Sequence, residues 1–169
     1  MHKIALTLFF ASILFASCGG TKESEIQEES SRPIYDATKI DPNAPVVELT
    51  ILAQGKDMSE MSFDMKSMKV SAGTTVKLIV KSTSLDASMP HNWVLVHKGT
   101  MKAVGTAGMQ AGRDKDFVPD SPDVLLKSKL LGPNESDTLI FPAPPVGTYE
   151  YVCTYPGHWS IMNGTFTVE

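Results

Sequence analysis

The clearest pattern after residue 45 is a regular alternation of apolar and polar side chains within short segments. Val76, Leu78 and Val80 alternate with mostly polar neighbours. Phe166 and Val168 show the same spacing near the C-terminus. A period of two is typical of a strand that buries one face and exposes the other. Strands are therefore predicted at segments rich in β-branched and aromatic residues: 46–53, 75–81, 92–97, 137–141, 149–153 and 164–168.

Glycine and proline residues separate these strand candidates. Segments 71–74 and 144–148 each precede a strand and hold the residues that turns require. Segment 98–131 shows no clean alternation and contains several glycines and prolines, so we expect loops there with one short helix or an irregular flap. Half-buried strands need a second layer to pack against. The sequence therefore predicts an all-β fold of two packed sheets, a β-sandwich.

The N-terminal residues have the pattern of a secretory signal. His2 and Lys3 are followed by an apolar run of about 12 residues and then by the small residues Ala16 and Ser17. This run is shorter than the ~20 residues that a membrane-spanning helix needs. Residues 1–17 are therefore predicted to be a signal peptide of the lipoprotein type that is removed during export.

Cys18 stands directly after this signal. Segment 14–20 resembles the lipobox of bacterial lipoproteins, in which the cysteine becomes the lipidated first residue of the mature chain. A plain signal peptide with an incidental Cys18 is the alternative. Residues 18–44 are polar, acidic at 23–29 and interrupted by prolines, which predicts a flexible linker with a reach of roughly 28 Å. The remaining residues, 45–169, are predicted to form the folded domain.

Composition limits the number of domains and the kinds of partner. A chain of 169 residues with 42% hydrophobic residues supports one core of ordinary size. The formal net charge of −4 and the lack of a basic cluster argue against binding to nucleic acid. With only 2 cysteines in the chain, a lipidated Cys18 leaves Cys153 as a single thiol in an exported protein. Such a thiol needs a chemical explanation.

The segment from Cys153 to Met162 concentrates metal-binding side chains. Cys153, His158 and Met162 have the spacing Cys-x4-His-x3-Met and follow a predicted strand. His91 supplies a second imidazole if the fold brings the two segments together. Two imidazoles, a thiolate and a distant thioether form the ligand set typical of copper electron-transfer sites. Taken singly, a histidine is more often a hydrogen-bonded core residue, and a methionine more often fills the core.

Two segments, His91 to Leu95 and Cys153 to Met162, resemble the copper motifs of azurin-like sequences in the cupredoxin family. The resemblance covers about 46–169 through further similar segments at 54–55, 108–109, 114–117 and 129–132. It implies a Greek-key β-sandwich with one copper near one end, bound by His91, Cys153 and His158. Met162 would be the weak axial ligand.

The family also places a backbone carbonyl on the opposite axial side of the metal. The residue that would supply it here is Pro90, where the family has glycine. Proline locks φ, so the distance and direction of this carbonyl stay open. The resemblance further implies that Asn92 braces the ligand loop through Thr154 and offers its N–H to the Cys153 sulfur. Tyr155 would donate another N–H to the same sulfur.

The resemblance also implies how the electron leaves the protein. His158 would lie near the surface inside an apolar patch that docks partners, and Trp159 would add an aromatic edge. The residues expected to form this patch are Met89, Met109, Tyr155, Pro156 and Ile161. The expected partners are redox donors and acceptors such as cytochromes, bound transiently by a monomer. Trp93 is predicted to pack in the core.

These observations predict an electron carrier with a single type 1 copper in the bacterial periplasm or cell envelope, attached to a membrane through the N-terminal lipid. Copper storage or delivery, with Cu(I) handed to another exported protein, is the alternative. An enzyme is not expected, because four protein ligands leave no open position for a substrate. A plain adhesion sandwich would leave Cys153 unexplained.

Overall fold

The structure is a computed structural model that describes residues 34–169, of which Tyr35–Glu169 form a compact unit. The predicted signal peptide, Cys18 and most of the predicted linker lie outside the described residues. The compact unit includes the last part of the segment predicted as linker. Within the described part of the chain, no helix is long and apolar enough to cross a membrane.

Nine strands and one α-helix make up the described residues. The strands are β1 (Val46–Gln54), β2 (Ser62–Phe63), β3 (Ser67–Val70), β4 (Thr75–Ser82), β5 (Val94–His97), β6 (Val124–Lys127), β7 (Ser136–Pro142), β8 (Gly147–Val152) and β9 (Asn163–Val168). The helix is α1 (Met101–Ala111), and a 3-10 turn follows at Arg113–Lys115. One sheet has the order β2-β1-β4-β7, and the other has the order β3-β9-β8-β5-β6. The predicted all-β sandwich is confirmed.

The alternating residues face the core between the sheets. Val76, Leu78 and Val80 of β4 are all 0% exposed. Phe166 and Val168 of β9 are buried in the same core. The predicted strands agree with β1, β4, β5, β7, β8 and β9, whereas three shorter ones, β2, β3 and β6, were not predicted. Segments of two to four residues are too short to show a period of two.

The second sheet is covered on its outer face by α1. Val94 and Val96 of β5 are buried in a separate cluster with Val104 of the helix and Val152 of β8. This explains why β5 is apolar at successive positions, because both of its faces are covered. The short helix expected within 98–131 is confirmed.

The N-terminus of α1 is held by a side chain from the sheet. Glu150 of β8 accepts hydrogen bonds from the backbone N–H groups of Gly99 at 3.0 Å and Met101 at 3.4 Å through the same carboxylate oxygen. A carboxylate at this position satisfies donors that the first helical turn leaves free and matches the helix dipole. The helix is thereby fixed against β8, the strand that leads to Cys153.

The described chain begins at the end of the sandwich where β4 starts. The Tyr35 hydroxyl donates a hydrogen bond to the carbonyl of Pro142 at 2.9 Å. Pro142 is the register partner of Thr75, the first residue of β4. The loops that leave the opposite end, after Ser82 of β4 and Val152 of β8, are the ones that contain the predicted ligands.

Candidate metal centre

The predicted ligands come from two loops at one end of the sandwich. His91 lies in the connection between β4 and β5, and Cys153 directly follows β8. His91 is fixed by a bridge to Leu131, in which its N–H donates to the Leu131 carbonyl at 3.0 Å and its own carbonyl accepts the Leu131 N–H at 2.7 Å. The histidine backbone is therefore held by bonds that leave both of its ring nitrogens free for a metal.

The loop from Cys153 to Met162 is closed by its own backbone. The Cys153 N–H donates to the Met162 carbonyl at 2.9 Å, and the Met162 N–H donates to the His158 carbonyl at 2.8 Å. The His158 N–H donates to the Tyr155 carbonyl at 3.0 Å. The spacing Cys-x4-His-x3-Met thus matches a compact turn that returns to its starting strand.

The fold brings His91, Cys153 and His158 together. All three side chains are 0% exposed, and their ligand atoms lie within 4.8 Å of one another. The Cys153 Sγ is 3.6 Å from the His158 Nδ1, and the centroids of the two imidazole rings are 5.1 Å apart. Three donor atoms at these distances surround a space suited to one metal ion.

The imidazole nitrogens in this group lack ordinary partners. Within residues 34–169, neither ring nitrogen of His91 nor the Nε2 of His158 has a hydrogen-bond partner. A buried polar atom without a partner costs free energy, and proteins rarely tolerate three of them in one place. A bound metal would use the lone pair that each imidazole offers. The donor set of two imidazoles and one thiol therefore fits copper.

Burial places these groups in different protonation states. It lowers the pKa of His91 to about 4. Burial, reinforced by the neighbouring His91, lowers the pKa of His158 to about 4 as well. Burial raises the pKa of the Cys153 thiol to about 11, while backbone hydrogen bonds from Asn92 and Tyr155 act in the opposite direction. At neutral pH both imidazoles are ready as ligands, and the thiol must lose its proton when a metal binds.

Met162 and Pro90, the two residues predicted to contact the metal axially, are both buried. Met162 is 0% exposed and belongs to the same core cluster as Cys153. Pro90 is buried directly before His91. The axial roles of the Met162 thioether and of the Pro90 carbonyl remain predictions.

Asn92 links the two ligand loops. Its Nδ2 donates to the Thr154 Oγ1 at 2.8 Å and to the backbone carbonyl of Asp116 at 2.7 Å. Its Oδ1 accepts the Thr154 N–H at 2.8 Å. One buried amide therefore contacts the ligand loop twice and a third segment once. The contact with Asp116 was not predicted, although segment 114–117 resembles the corresponding segment of azurin-like sequences.

Helix α1 rests directly on the ligand loop at Gly108. A Cβ placed on Gly108 would lie 2.5 Å from the Thr154 carbonyl oxygen and 2.6 Å from the Phe117 carbonyl oxygen. Only glycine permits this approach of the backbones. The Phe117 ring packs edge-on against Tyr155, with centroids 5.0 Å apart. The sequence showed the Gly108-Met109 pair but not its contact with Thr154.

The predicted docking residues differ in exposure. Met109 is 65% exposed and Ile161 is 43% exposed, whereas Met89 is only 8% exposed. Tyr155 and Pro156 are half-buried. The exposed part of the predicted patch therefore consists mainly of Met109 and Ile161.

His158 was expected near the surface, but its side chain is 0% exposed. The Tyr155 ring packs against it, with centroids 4.8 Å apart. A further residue beside this loop was not predicted: the terminal methyl of Met58 would lie 3.1 Å from a Cβ placed on Gly157, and Met58 is 48% exposed. Its position depends on the loop after β1, which has no recognisable motif.

The two tryptophans near the ligands differ in burial. Trp93 is 0% exposed, as predicted for a core residue, and it stacks on Tyr151 with ring centroids 5.8 Å apart. Trp159, which was expected to add an aromatic edge, is half-buried, and its Cβ would lie 2.4 Å from a Cβ placed on Gly105 of α1.

Comparison with known proteins agrees with this geometry. Residues 49–169 match the family described as copper binding proteins of the plastocyanin/azurin family. Auracyanin-A of Chloroflexus aurantiacus is 38% identical over 118 residues, which are 68% of this chain and 72% of that protein. An azurin of Pseudomonas aeruginosa is 34% identical over 136 residues, which are 75% of this chain and 90% of that protein.

Solved structures show the same similarity in three dimensions. The structure of auracyanin A, a "blue" copper protein of Chloroflexus aurantiacus, gives a TM-score of 0.65 at 35% identity and covers 73% of this chain and 99% of its own. The dithionite-reduced auracyanin of Roseiflexus castenholzii gives a TM-score of 0.64 at 35% identity and covers 72% of this chain and 96% of its own.

Proposed function

Because the chain belongs to the plastocyanin/azurin family of copper-binding proteins, we propose that it carries single electrons between redox proteins of the bacterial cell envelope. Its cofactor is one copper in a group formed by His91, Cys153 and His158. Copper at this site supplies one-electron chemistry by cycling between Cu(I) and Cu(II). The protein is an electron carrier rather than an enzyme. The observation that carries the proposal is the set of three buried donors within 4.8 Å of one another.

The fixed geometry of the ligand residues supports electron transfer over copper storage. Rapid electron transfer requires that the ligands move little between the two oxidation states, which outer hydrogen bonds help to ensure. Leu131 holds the His91 backbone, Asn92 holds Thr154 beside Cys153, and the loop hydrogen bonds hold His158. A delivery protein must instead release its metal, and ligands that are 0% exposed do not favour release.

Met162 and Pro90 complete the proposed ligand set. The Met162 backbone is fixed by hydrogen bonds to Cys153 and His158, which supports a role for its thioether as the weak axial ligand. Long axial contacts of this kind tune the reduction potential. The Pro90 carbonyl is proposed on the opposite axial side because the bridge between His91 and Leu131 fixes the next residue.

The proposed docking face surrounds the ligand loop. Met109 and Ile161 offer exposed apolar surface, and Tyr155 and Pro156 add half-buried surface on the ligand loop itself. Methionine side chains adapt to different partners, and a transient redox contact buries less than about 1,200 Å². The proposed route for the electron passes from the metal through His158 and the Tyr155 ring that covers it. A monomer leaves this face free for donors and acceptors such as cytochromes.

Attachment to the envelope is proposed from the N-terminal sequence. The apolar run before Cys18 and the small residues around it support export and lipidation of this cysteine. The polar segment that follows would serve as a tether between the lipid and the folded unit.

The copper assignment is tested with the full chain. Addition of Cu(II) is expected to give intense visible absorption, an electron paramagnetic resonance signal typical of a copper–thiolate bond, and reversible voltammetry. Cys153→Ser is expected to lose the colour, whereas Cys18→Ser is expected to keep it. A colourless protein would contradict the copper site. A coloured protein with irreversible voltammetry would favour storage or delivery.

The docking face is tested with a matched pair of surface variants. Ile161→Lys is expected to slow electron exchange with a c-type cytochrome at least about tenfold in stopped-flow measurements, because the ammonium group would have to be desolvated on docking. Ile140→Lys is the control, since Ile140 is 55% exposed on β7 and lies outside the proposed face. Equal rates for the two variants would place docking elsewhere.

The membrane attachment is tested by fractionation of cells. The wild-type protein is expected in the membrane fraction with a lipid on Cys18 that mass spectrometry detects. Cys18→Ser is expected in the soluble fraction, with its copper spectrum unchanged. Recovery of both proteins from the soluble fraction would show a plain signal peptide.

A further inference from the structure

Lys66 contacts the backbone carbonyls of the two residues that neighbour Met162. Its Nζ donates to the Ile161 carbonyl at 3.0 Å and lies 3.4 Å from the Asn163 carbonyl. Ile161 and Asn163 are the residues that directly precede and follow Met162 in the chain. A single ammonium group therefore joins the two ends of the short segment from which the proposed axial thioether projects.

The lysine backbone is itself held in place. The Lys66 carbonyl accepts the N–H of Thr165, on β9, at 3.0 Å. The preceding carbonyl, that of Met65, accepts the Tyr151 hydroxyl at 2.6 Å. Lys66 thus begins from a fixed point on the adjoining sheet edge, and its side chain reaches across to the ligand loop. Because this backbone is already ordered, holding the side chain costs only the entropy of the side chain itself.

The Lys66 ammonium group forms no ion pair with a carboxylate among residues 34–169. Within residues 34–169, the ion pairs of the neighbouring strands involve other lysines, such as Lys69 with Glu169 at 3.1 Å, and none involves Lys66. Its hydrogen bonds to the two carbonyls are charge-assisted, and such bonds are stronger than those between neutral groups.

Met162 is also held by its burial in the core and by two hydrogen bonds of its own backbone. Its N–H donates to the His158 carbonyl at 2.8 Å, and its carbonyl accepts the Cys153 N–H at 2.9 Å. These two bonds orient the two peptide planes that meet at Met162. Lys66 adds a contact at the Ile161 carbonyl, in the first of these planes, and at the Asn163 carbonyl, one peptide group further along the chain.

We propose that Lys66 is a positioning residue for the axial ligand: it clamps the peptide groups at Ile161 and Asn163 and thereby sets the distance of the Met162 thioether from the copper. This rests on the proposed role of Met162 as axial ligand. The axial contact tunes the potential of such sites. Lys66 thus acts on the copper through Met162 without touching the metal.

Two effects of removing Lys66, the loss of positioning and the loss of a positive charge, would change the reduction potential in opposite directions. Loss of the clamp lets the thioether withdraw, which removes donation to Cu(II), favours Cu(I) and raises the potential. Loss of a nearby positive charge favours Cu(II) and lowers the potential. The charge effect is screened at 1 M salt, where the Debye length is about 3 Å, but the positioning effect is not.

The experiment compares Lys66→Gln, Lys66→Arg and Lys69→Gln in the full copper-loaded protein by voltammetry at 1 M salt. Lys66→Gln is expected to shift the Cu(II)/Cu(I) equilibrium about threefold toward Cu(I), a rise of about 28 mV at 59 mV per tenfold change. Its electron paramagnetic resonance spectrum should change as well. Lys66→Arg should keep the potential and the spectrum of the wild type, because arginine retains the positive charge and the hydrogen-bond donors. Lys69→Gln removes a nearby lysine on β3 and should leave the potential and the spectrum unchanged.

A second readout uses the metal-free protein. Hydrogen exchange at the Met162 and Cys153 amides is expected to be faster in Lys66→Gln than in the wild type and unchanged in Lys69→Gln. The proposal is overturned if the potential of Lys66→Gln at 1 M salt equals that of the wild type, or if Lys69→Gln shifts it equally. A wild-type protein without the copper–thiolate spectrum would instead overturn the proposed function.

Discussion

Asn92 and Thr154 are joined by two hydrogen bonds, one from the Asn92 Nδ2 to the Thr154 Oγ1 and one from the Thr154 N–H to the Asn92 Oδ1, both at 2.8 Å. The two residues directly follow His91 and Cys153, respectively. The pair therefore fixes the distance between the segments that provide the first imidazole and the thiol. Neither hydrogen bond uses a metal-binding atom, so the pair can order the two ligand segments without competing for the metal site.

Replacing Asn92 by Leu should weaken both the fold and the copper site. The change leaves the buried Thr154 N–H without its partner, which costs about 1–3 kcal/mol. Denaturant unfolding of the metal-free protein measures this loss. The reduction potential should rise, because a looser arrangement no longer favours the geometry that Cu(II) requires. Thr154→Val is the control: it removes one acceptor but keeps the N–H bond, so its effects should be smaller.

Replacing Gly108 by Ala should disturb the ligand loop through the helix. The new methyl group would meet two backbone carbonyls, at Thr154 and Phe117, neither of which can rotate away. Overpacking of this kind costs about 1–3 kcal/mol, and the copper spectrum should change. Gly132→Ala is the matched control, because its Cβ would lie an ordinary 3.6 Å from Glu135. Similar stability of the two variants would contradict the close packing of α1 on the loop.

Copper uptake should release close to one proton at pH 7. The Cys153 thiol, with a pKa of about 11, is protonated and must lose its proton. The two imidazoles, with a pKa of about 4 each, are already neutral. The number should stay close to one at pH 5.5, where imidazoles of ordinary pKa near 6.5 would add almost two more. Calorimetric titration in buffers of different ionisation enthalpy measures it, and a rise toward three at pH 5.5 would contradict the burial.

Tyr35 should make the fold sensitive to alkali. Burial raises the pKa of the Tyr35 hydroxyl above its usual value of 10. The folded protein therefore keeps a proton that the unfolded chain loses above about pH 10, so stability falls as the pH rises past that value. Tyr35→Phe should lose about 1 kcal/mol at pH 7 with its hydrogen bond to Pro142. Its stability should decline less between pH 9 and 11 in denaturant titrations, and an unchanged decline would contradict the assignment.

The local parts of the fold could be predicted from the sequence. Val76, Leu78 and Val80 alternate because β4 has one face in the core, and the pattern is long enough to read. The ligand loop could be predicted equally well, because Cys153, His158 and Met162 lie within one short segment whose spacing suits one metal. In both cases the information lies in neighbouring residues.

The contacts between distant segments were not predictable in the same way. Strand β3 forms by pairing with β9, and nothing in four residues indicates that partner. The contact of Glu150 with the start of α1 depends on a helix whose position was unknown. The burial of His158 depends on where the Tyr155 ring turns. Spacing does not encode any of these, because each arises from packing between elements.

The hydrogen bond between Tyr35 and Pro142 also has a consequence for partner docking, because it lies far from the ligand loops. Tyr35 contacts Pro142, which pairs with Thr75, the first residue of β4. The 8 residues of β4 separate that point from the ligand loops, a length of roughly 26 Å. The bond between Tyr35 and Pro142 thus lies at the far end of the folded unit from His158. A protein docked over Tyr155 would leave that bond uncovered, so the packing that Tyr35 provides does not have to open for docking to occur.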